Sequence, residues 1–239
     1  MGADPVRSIN LDVSDGVTVS AKVDAPRRLS SETPGLLLAH GANNDLDHPL
    51  LASVAARLAQ EGVAIVVRFN FPYAERGGAS PDAHSVLETT YRRAHGLLVD
   101  ELLKPGAPVF LGGKSLGGRI AAELGSRSHE GEGLRASGLV VLGYPLHAPG
   151  RKDRLHLEPL RRIGIPSLFC IGSRDPFCEP DLLRPILAGL AHPGRIYVVE
   201  GGDHSLRLTR SSGWGAEDAY SAVGAEIVAF VRAVSSPTA

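Results

Sequence analysis

Cysteine is scarce in this chain. Only Cys170 and Cys178 occur in 239 residues, one inside an apolar run and the other eight residues on. Neither a disulfide framework nor a metal site is expected from that pair. Charge of one sign is also lacking. Lys and Arg number 25 against 26 Asp and Glu, a formal net charge of -1, so no strong field draws nucleic acid or a membrane surface. No apolar run approaches the length of a membrane span. The opening MGADPVRS has no basic-then-apolar leader pattern, and Val6 breaks the myristoylation pattern. The expectation from these absences is a soluble, cytoplasmic protein with neither nucleic acid nor membrane as a partner.

What is present is a regular alternation. Residues 8–24 alternate polar and apolar side chains about Asp15-Gly16, which predicts a β-hairpin. A Pro- and Ser-rich link, 25–34, leads to a short buried-type strand at 35–39. Apolar positions at helical spacing over 49–60 stop before Gly62, predicting a helix with a glycine stop. Further strands are predicted at 63–68, 108–112, 138–143, 166–171 and 195–200, and helices at 84–103, 115–127, 180–190 and 216–234. A long polar loop lies at 70–83, a charged glycine-rich loop at 128–135, and a basic irregular stretch, with one short helix at most, at 149–162. The pattern predicts an α/β fold: a mostly parallel central sheet, an N-terminal antiparallel hairpin and helices on both faces. One domain, 1–239, is expected, with 1–7 and 235–239 as frayed tails.

The stretch that organises the rest is 109–124, VFLGGKSLGGRIAAEL. It reads as strand, sharp turn, helix, with Ser115 at the turn. Gly113, Ser115 and Gly117 fit G-x-S-x-G, the nucleophile elbow. A serine at such a strained turn projects its hydroxyl above the sheet edge. The residues two before and two after must be small because strand and helix nearly touch. Gly113-Lys114-Ser115 also ends like a P-loop, but that pattern needs glycine where Pro108 stands, so a phosphate cradle is not built.

In a parallel sheet, ligands sit beyond the carboxyl ends of the strands. The residues there are His40-Gly41-Ala42, the segment 70–73, Ser115, His147, Asp175 and His204. The order Ser115, Asp175, His204 is the nucleophile–acid–base order of hydrolases built on such sheets. In that reading His204 takes the Ser115 proton and Asp175 fixes its tautomer. Asp203 and Glu179 are rival acids; Asp203 is the weaker because sequence neighbours rarely face each other as orienter and base. The backbone N–H groups of Leu116 and Ala42 are the candidate oxyanion donors. His40 is expected to brace that loop. His40, Asn43, Tyr73, Arg76, Tyr144 and His147 are candidates for a substrate pocket, although loop anchoring accounts for several of them equally well. Lys114 is expected to pair below the turn, and Trp214 to pack under the last helix.

The segments LLLAHGANND, FNFPYAERGGASPD, GGKSLGGRIAA, VLGYPLHAPGRKD, IPSLFCIGSRDPF and GGDHSL together resemble an α/β-hydrolase, over nearly the whole chain. Within that superfamily the chain is similar to dienelactone-hydrolase-like proteins. More narrowly it resembles the family of the chromatin NSL-complex regulatory subunit 3 and its testis-expressed homologue. The resemblance implies an α/β-hydrolase core without a large cap.

Two functions from different classes follow. One is a serine hydrolase cleaving an ester, thioester or similar acyl bond of a small soluble substrate, with no metal or organic cofactor. The short segment 144–165 after the fourth parallel strand leaves the site open, with loops selecting substrate. The other is a non-catalytic binding or scaffold protein on the same fold, since fold does not fix function. A peptidase is a third and weaker reading.

Overall fold

In the computed structural model, residues 6–127, 133–208 and 215–236 are described. The chain opens with the predicted hairpin. Strands β1 (Arg7–Ser14) and β2 (Val17–Asp24) pair antiparallel about Gly16, whose φ of 72° the tight turn requires. Leu11 and Val13 on one strand, and Val19, Ala21 and Val23 on the other, are buried at the two-residue period of a half-covered sheet. Arg7, within the segment expected to fray, already belongs to β1.

β3 (Gly35–Ala39) and helix α1 (Pro49–Gln60) follow. Pro49 occupies the first helical position, and His48 caps the helix, its Nδ1 accepting from Leu50 N–H at 3.2 Å. Beyond the other end Gly62 adopts φ 70°, and Val63 N–H donates back to the Leu58 oxygen at 2.8 Å. That bond closes the helix. It also explains why β4 (Ile65–Phe69) begins two residues later than the apolar run suggests: Val63 belongs to the helix stop.

The polar loop 70–83 contains one helical turn, α2 (Pro72–Glu75). The helix predicted over 84–103 divides into α3 (His84–Gly96) and a wider turn, Leu97–Leu102. Leu103 N–H bonds to the Leu98 oxygen at 3.0 Å, a five-residue step. In this wider turn residues five apart face one way. A Cβ on Gly35 would lie 2.8 Å from methyl carbons of both Leu98 and Leu103, so both leucines press on β3.

β5 (Val109–Lys114) continues through the glycines that the apolar run left out, because Ser115 N–H still bonds the Leu142 oxygen at 2.9 Å. After it come α4 (Leu116–Ser126), β6 (Gly138–Leu142), α5 (Glu158–Arg161), β7 (Ser167–Gly172), α6 (Pro180–Ala188), β8 (Arg195–Val199) and α7 (Ala216–Ser235). The sheet order is β1-β2-β4-β3-β5-β6-β7-β8, antiparallel at β1-β2 and β2-β4 and parallel elsewhere. One face packs on α3, α4 and α6 around Tyr91, Leu111 and Phe169; the other packs on α1 and α7 around Leu50, Phe110 and Phe230. This is the α/β-hydrolase fold expected. Among the described residues no helix is long and apolar enough to cross a membrane.

Candidate active site

Ser115 stands between β5 and α4 with φ 51° and ψ -113°. A non-glycine residue held in such a region costs about 1–3 kcal/mol. Two close backbones impose it. A Cβ on Gly113 would lie 2.6 Å from the Gly117 carbonyl carbon, and one on Gly117 would overlap the Ala39 carbonyl oxygen.

Ser115 Oγ lies 2.8 Å from His204 Nε2, and His204 Nδ1 lies 2.8 Å from Asp175 Oδ2. A carboxylate only accepts, so the ring proton belongs on Nδ1, and Nε2 is left to accept from the serine hydroxyl. Asp175 is buried, and its Oδ1 accepts from Phe177 N–H at 2.8 Å. The Phe177 ring covers the imidazole, with centroids 4.4 Å apart and planes inclined at 40°.

Glycines at strand ends make this meeting possible. Gly143, just after β6 with φ 68°, lies against the His204 backbone and ring, and a Cβ on Gly172 would overlap the Gly202 carbonyl oxygen. The rival acids are engaged elsewhere. Asp203 Oδ1 accepts from Ser205 N–H at 2.7 Å and Arg207 N–H at 3.0 Å, shaping the histidine loop and leaving the ring untouched. Glu179 pairs with His147 at 2.8 Å and Lys152 at 2.5 Å.

Neither the Ala42 nor the Leu116 N–H donates to another backbone group among the described residues. Leu116 opens α4, where N–H groups have no intrahelical acceptor. The loop carrying Ala42 is held from behind. His40 is fully buried; its Nδ1–H donates to the Gly41 oxygen at 2.8 Å, and its Nε2 accepts from Phe71 N–H at 3.0 Å. Burial lowers its pKa and keeps the ring neutral. Tyr73 donates to the same Gly41 oxygen at 3.1 Å, and burial together with Asp82 pushes its phenol up to about 12. Further along the loop, Leu46 N–H donates to Asn70 Oδ1 at 2.8 Å and its carbonyl accepts from Arg68 at 2.8 Å. Arg68 is itself buried in an ion pair with Asp24 at 3.0 Å. His40 and Tyr73 thus both hold the Gly41 oxygen of this loop.

The other pocket candidates have their polar ends committed. Exposed Arg76 pairs with Asp82 at 2.6 Å, and the second Asp82 oxygen accepts from Tyr73 N–H. Buried Tyr144 donates to the His156 oxygen at 3.1 Å. Buried His147 bonds Glu179 and the Ala148 oxygen. Asn43 is exposed beside Ala42, at φ 55°, a conformation that asparagine tolerates. Lys114 does not make the expected pair. It is 4% exposed and its side chain makes no hydrogen bond or ion pair among the described residues; burial lowers its pKa, while Asp203 and Asp175 act in the opposite direction. Trp214 lies outside the described residues.

Sequence reasoning missed Phe177, Gly143 and Gly172. The glycines ended predicted strands, but nothing in one dimension said which loop each would admit. Away from the serine, His84, Glu88 and Glu123 form a cluster of metal-type donors on α3 and α4. Arg127 already pairs with Glu88, and Arg119 approaches Glu123 at 3.4 Å, so both carboxylates are neutralised by protein cations.

The family described as the alpha/beta hydrolase domain matches residues 32–232. Among solved structures, dienelactone hydrolase from Anabaena variabilis superposes with a TM-score of 0.71 at 18% identity, covering 96% of this chain and 97% of that one. Est1E from Butyrivibrio proteoclasticus gives 0.69 at 13% identity, covering 94% and 99%. XC6422 from Xanthomonas campestris, described as a serine hydrolase without a lid, gives 0.65 at 14% identity, covering 97% and 94%.

Proposed function

The chain belongs to the alpha/beta hydrolase domain family, and from that premise we propose that it is a serine hydrolase cleaving a carboxylic ester or related acyl bond of a small soluble substrate. The observation that carries this is the continuous line from Ser115 Oγ through His204 to Asp175, with both contacts at 2.8 Å. A serine at its ordinary pKa is a poor nucleophile without a base in hydrogen-bond reach. Ser115 Oγ attacks the carbonyl carbon while its proton passes to His204 Nε2. Asp175 stabilises the resulting imidazolium. The N–H groups of Ala42 and Leu116 receive the oxyanion. Collapse expels the leaving group, which takes the proton from His204, and an acyl-serine remains. Water, deprotonated by His204, then attacks the acyl carbon, and the departing Ser115 oxygen takes the proton back.

The residues require no metal or organic cofactor for these steps. The segment between β6 and β7 supplies loops and one helical turn, which supports an open site. The dienelactone-hydrolase-like likeness supports small substrates, and the absence of a spanning helix among the described residues agrees with a cytoplasmic setting. The rival, a non-catalytic scaffold protein on the same fold, has no need of an aligned base beside a strained serine.

Labelling by a fluorophosphonate probe tests the proposal. Wild type should label, and Ser115→Ala and His204→Ala should not; short-chain ester and thioester panels then separate the bond types. A folded wild-type protein that does not label would favour the scaffold.

A further inference from the structure

One buried histidine grips the loop that carries the acid. The side chain of His147, in the loop after β6, is 0% exposed. Its Nδ1 lies 2.9 Å from the Ala148 carbonyl oxygen and its Nε2 lies 2.8 Å from Glu179 Oε2. A carbonyl and a carboxylate only accept hydrogen bonds. Both ring nitrogens therefore carry protons, and the ring is an imidazolium. Burial alone would lower its pKa, but the Ala148 carbonyl and the Glu179 carboxylate outweigh that and raise it above the ordinary histidine value. The charged groups facing it are Glu179 and Lys152, and Lys152 pairs with the second Glu179 oxygen at 2.5 Å. The adjacent Cys178 thiol stays protonated, its pKa pushed up by burial and by Asp175 and Glu179.

The main chain adds a second grip: His147 N–H donates to the Phe177 oxygen at 3.0 Å. One residue thus holds the loop after β7 at Phe177 through its backbone and at Glu179 through its ring. Within the same loop, Asp175 bonds His204 Nδ1 and the Phe177 N–H, and the Phe177 ring covers the imidazole. We infer that His147 is a positioning residue: clasped as an imidazolium to Glu179, it holds Asp175 and Phe177 in register with His204. This rests on the reading of Ser115, His204 and Asp175 as the reacting groups.

The sign of the pH effect follows. The clasp is whole while His147 is protonated and opens as pH rises through its raised pKa. Loss of activity on the alkaline side is therefore the expected mark of the clasp opening at His147.

The test is the pH dependence of kcat and KM on a short-chain ester for wild type, Glu179→Gln and His147→Asn, with imidazole NMR of His147. Wild type should lose kcat several-fold on the alkaline side at nearly constant KM. Glu179→Gln, which keeps the histidine, should move that limb to lower pH. His147→Asn should lower kcat at neutral pH and abolish the limb. An unchanged limb in both variants, or an NMR titration placing His147 at or below an ordinary histidine, overturns the inference. If His147→Asn does not fold, Glu179→Gln and the wild-type titration decide. If folded wild type does not label at Ser115, the functional reading falls separately. Amide protection at Phe177 then decides the clasp: protection that falls as His147 deprotonates supports it, and protection independent of that titration overturns it.

Discussion

A methyl group on Gly143 would sit 2.6 Å from the His204 carbonyl oxygen and 3.4 Å from its Nδ1. The glycine is the seat on which the histidine rests. Its φ of 68° adds a second constraint, costing about 1–2 kcal/mol for an L side chain. A misplacement of about 1 Å at a reacting group can cost roughly a hundredfold in rate. Gly143→Ala should therefore lower kcat/KM by about that factor and reduce the melting temperature by several degrees. Steady-state kinetics and a thermal melt check both, and wild-type kcat in a folded variant would mean that the histidine loop yields.

Ser115→Gly should be more stable than wild type by about 1 kcal/mol. Relief of about 1–3 kcal/mol of backbone strain is offset in part by glycine's greater freedom when unfolded. Ser115→Ala keeps the strain and should stay near wild-type stability. Both should fail to label. Chemical denaturation of the three proteins would reveal the strain, and a less stable glycine variant would refute it.

Tyr73→Phe removes one of two donors to the Gly41 oxygen, at a cost of about 0.5–1.5 kcal/mol. His40→Ala leaves the buried Phe71 N–H without its acceptor and should cost more, about 1–3 kcal/mol for that group alone. In both, kcat should fall more than KM rises, because in the proposed mechanism the loop they brace carries the Ala42 N–H that receives the oxyanion. A change confined to KM would place these residues in substrate binding instead.

His48 sets a low-pH limit on stability. Burial, then the charges of Lys114 and Arg207, depress its pKa to about 4. The unfolded value is about 6.5. The folded state thus binds the neutral ring, so the stabilisation is present above about pH 6.5 and is lost as pH falls toward 4. His48→Asn keeps a side-chain acceptor for Leu50 N–H and removes the titration. Denaturation midpoints across this window should fall less steeply in the variant, and parallel slopes would assign the loss to other groups.

Much of the architecture is legible in one dimension because each candidate reacting group comes soon after an apolar run. Ser115 comes after VFLGGK, Asp175 shortly after SLFCIG and His204 shortly after RIYVV, so the parallel-sheet rule alone brings them to one edge. What escapes the sequence depends on geometry between distant segments. Phe177 meets His204 only because two loops lie side by side. The polar ends of Tyr144 and His147 are committed because buried polar groups must find partners, and those partners are His156 in the same segment and Glu179 in the loop after β7. Lys114 fails to pair because the strand end places it on the face of α1 and α7, where Asp203 is already bonded to the histidine loop. Element ends moved for similar reasons: Val63 is taken by a helix stop, and the wide turn at 97–102 appears because two leucines five residues apart must both reach Gly35.

The three residues of the site also have an order in time. Ser115 precedes His204 by 89 positions, and His204 is delivered by the loop after β8, which docks beside β7. A ribosome releases the serine long before its base exists. A serine without a base in hydrogen-bond reach is a poor nucleophile, so on the proposed reading Ser115 gains its strength only once the loop after β8 is in place. The order of synthesis therefore puts the serine's strand in the chain first and leaves its alignment with the base to the strand that joins the sheet beside β7.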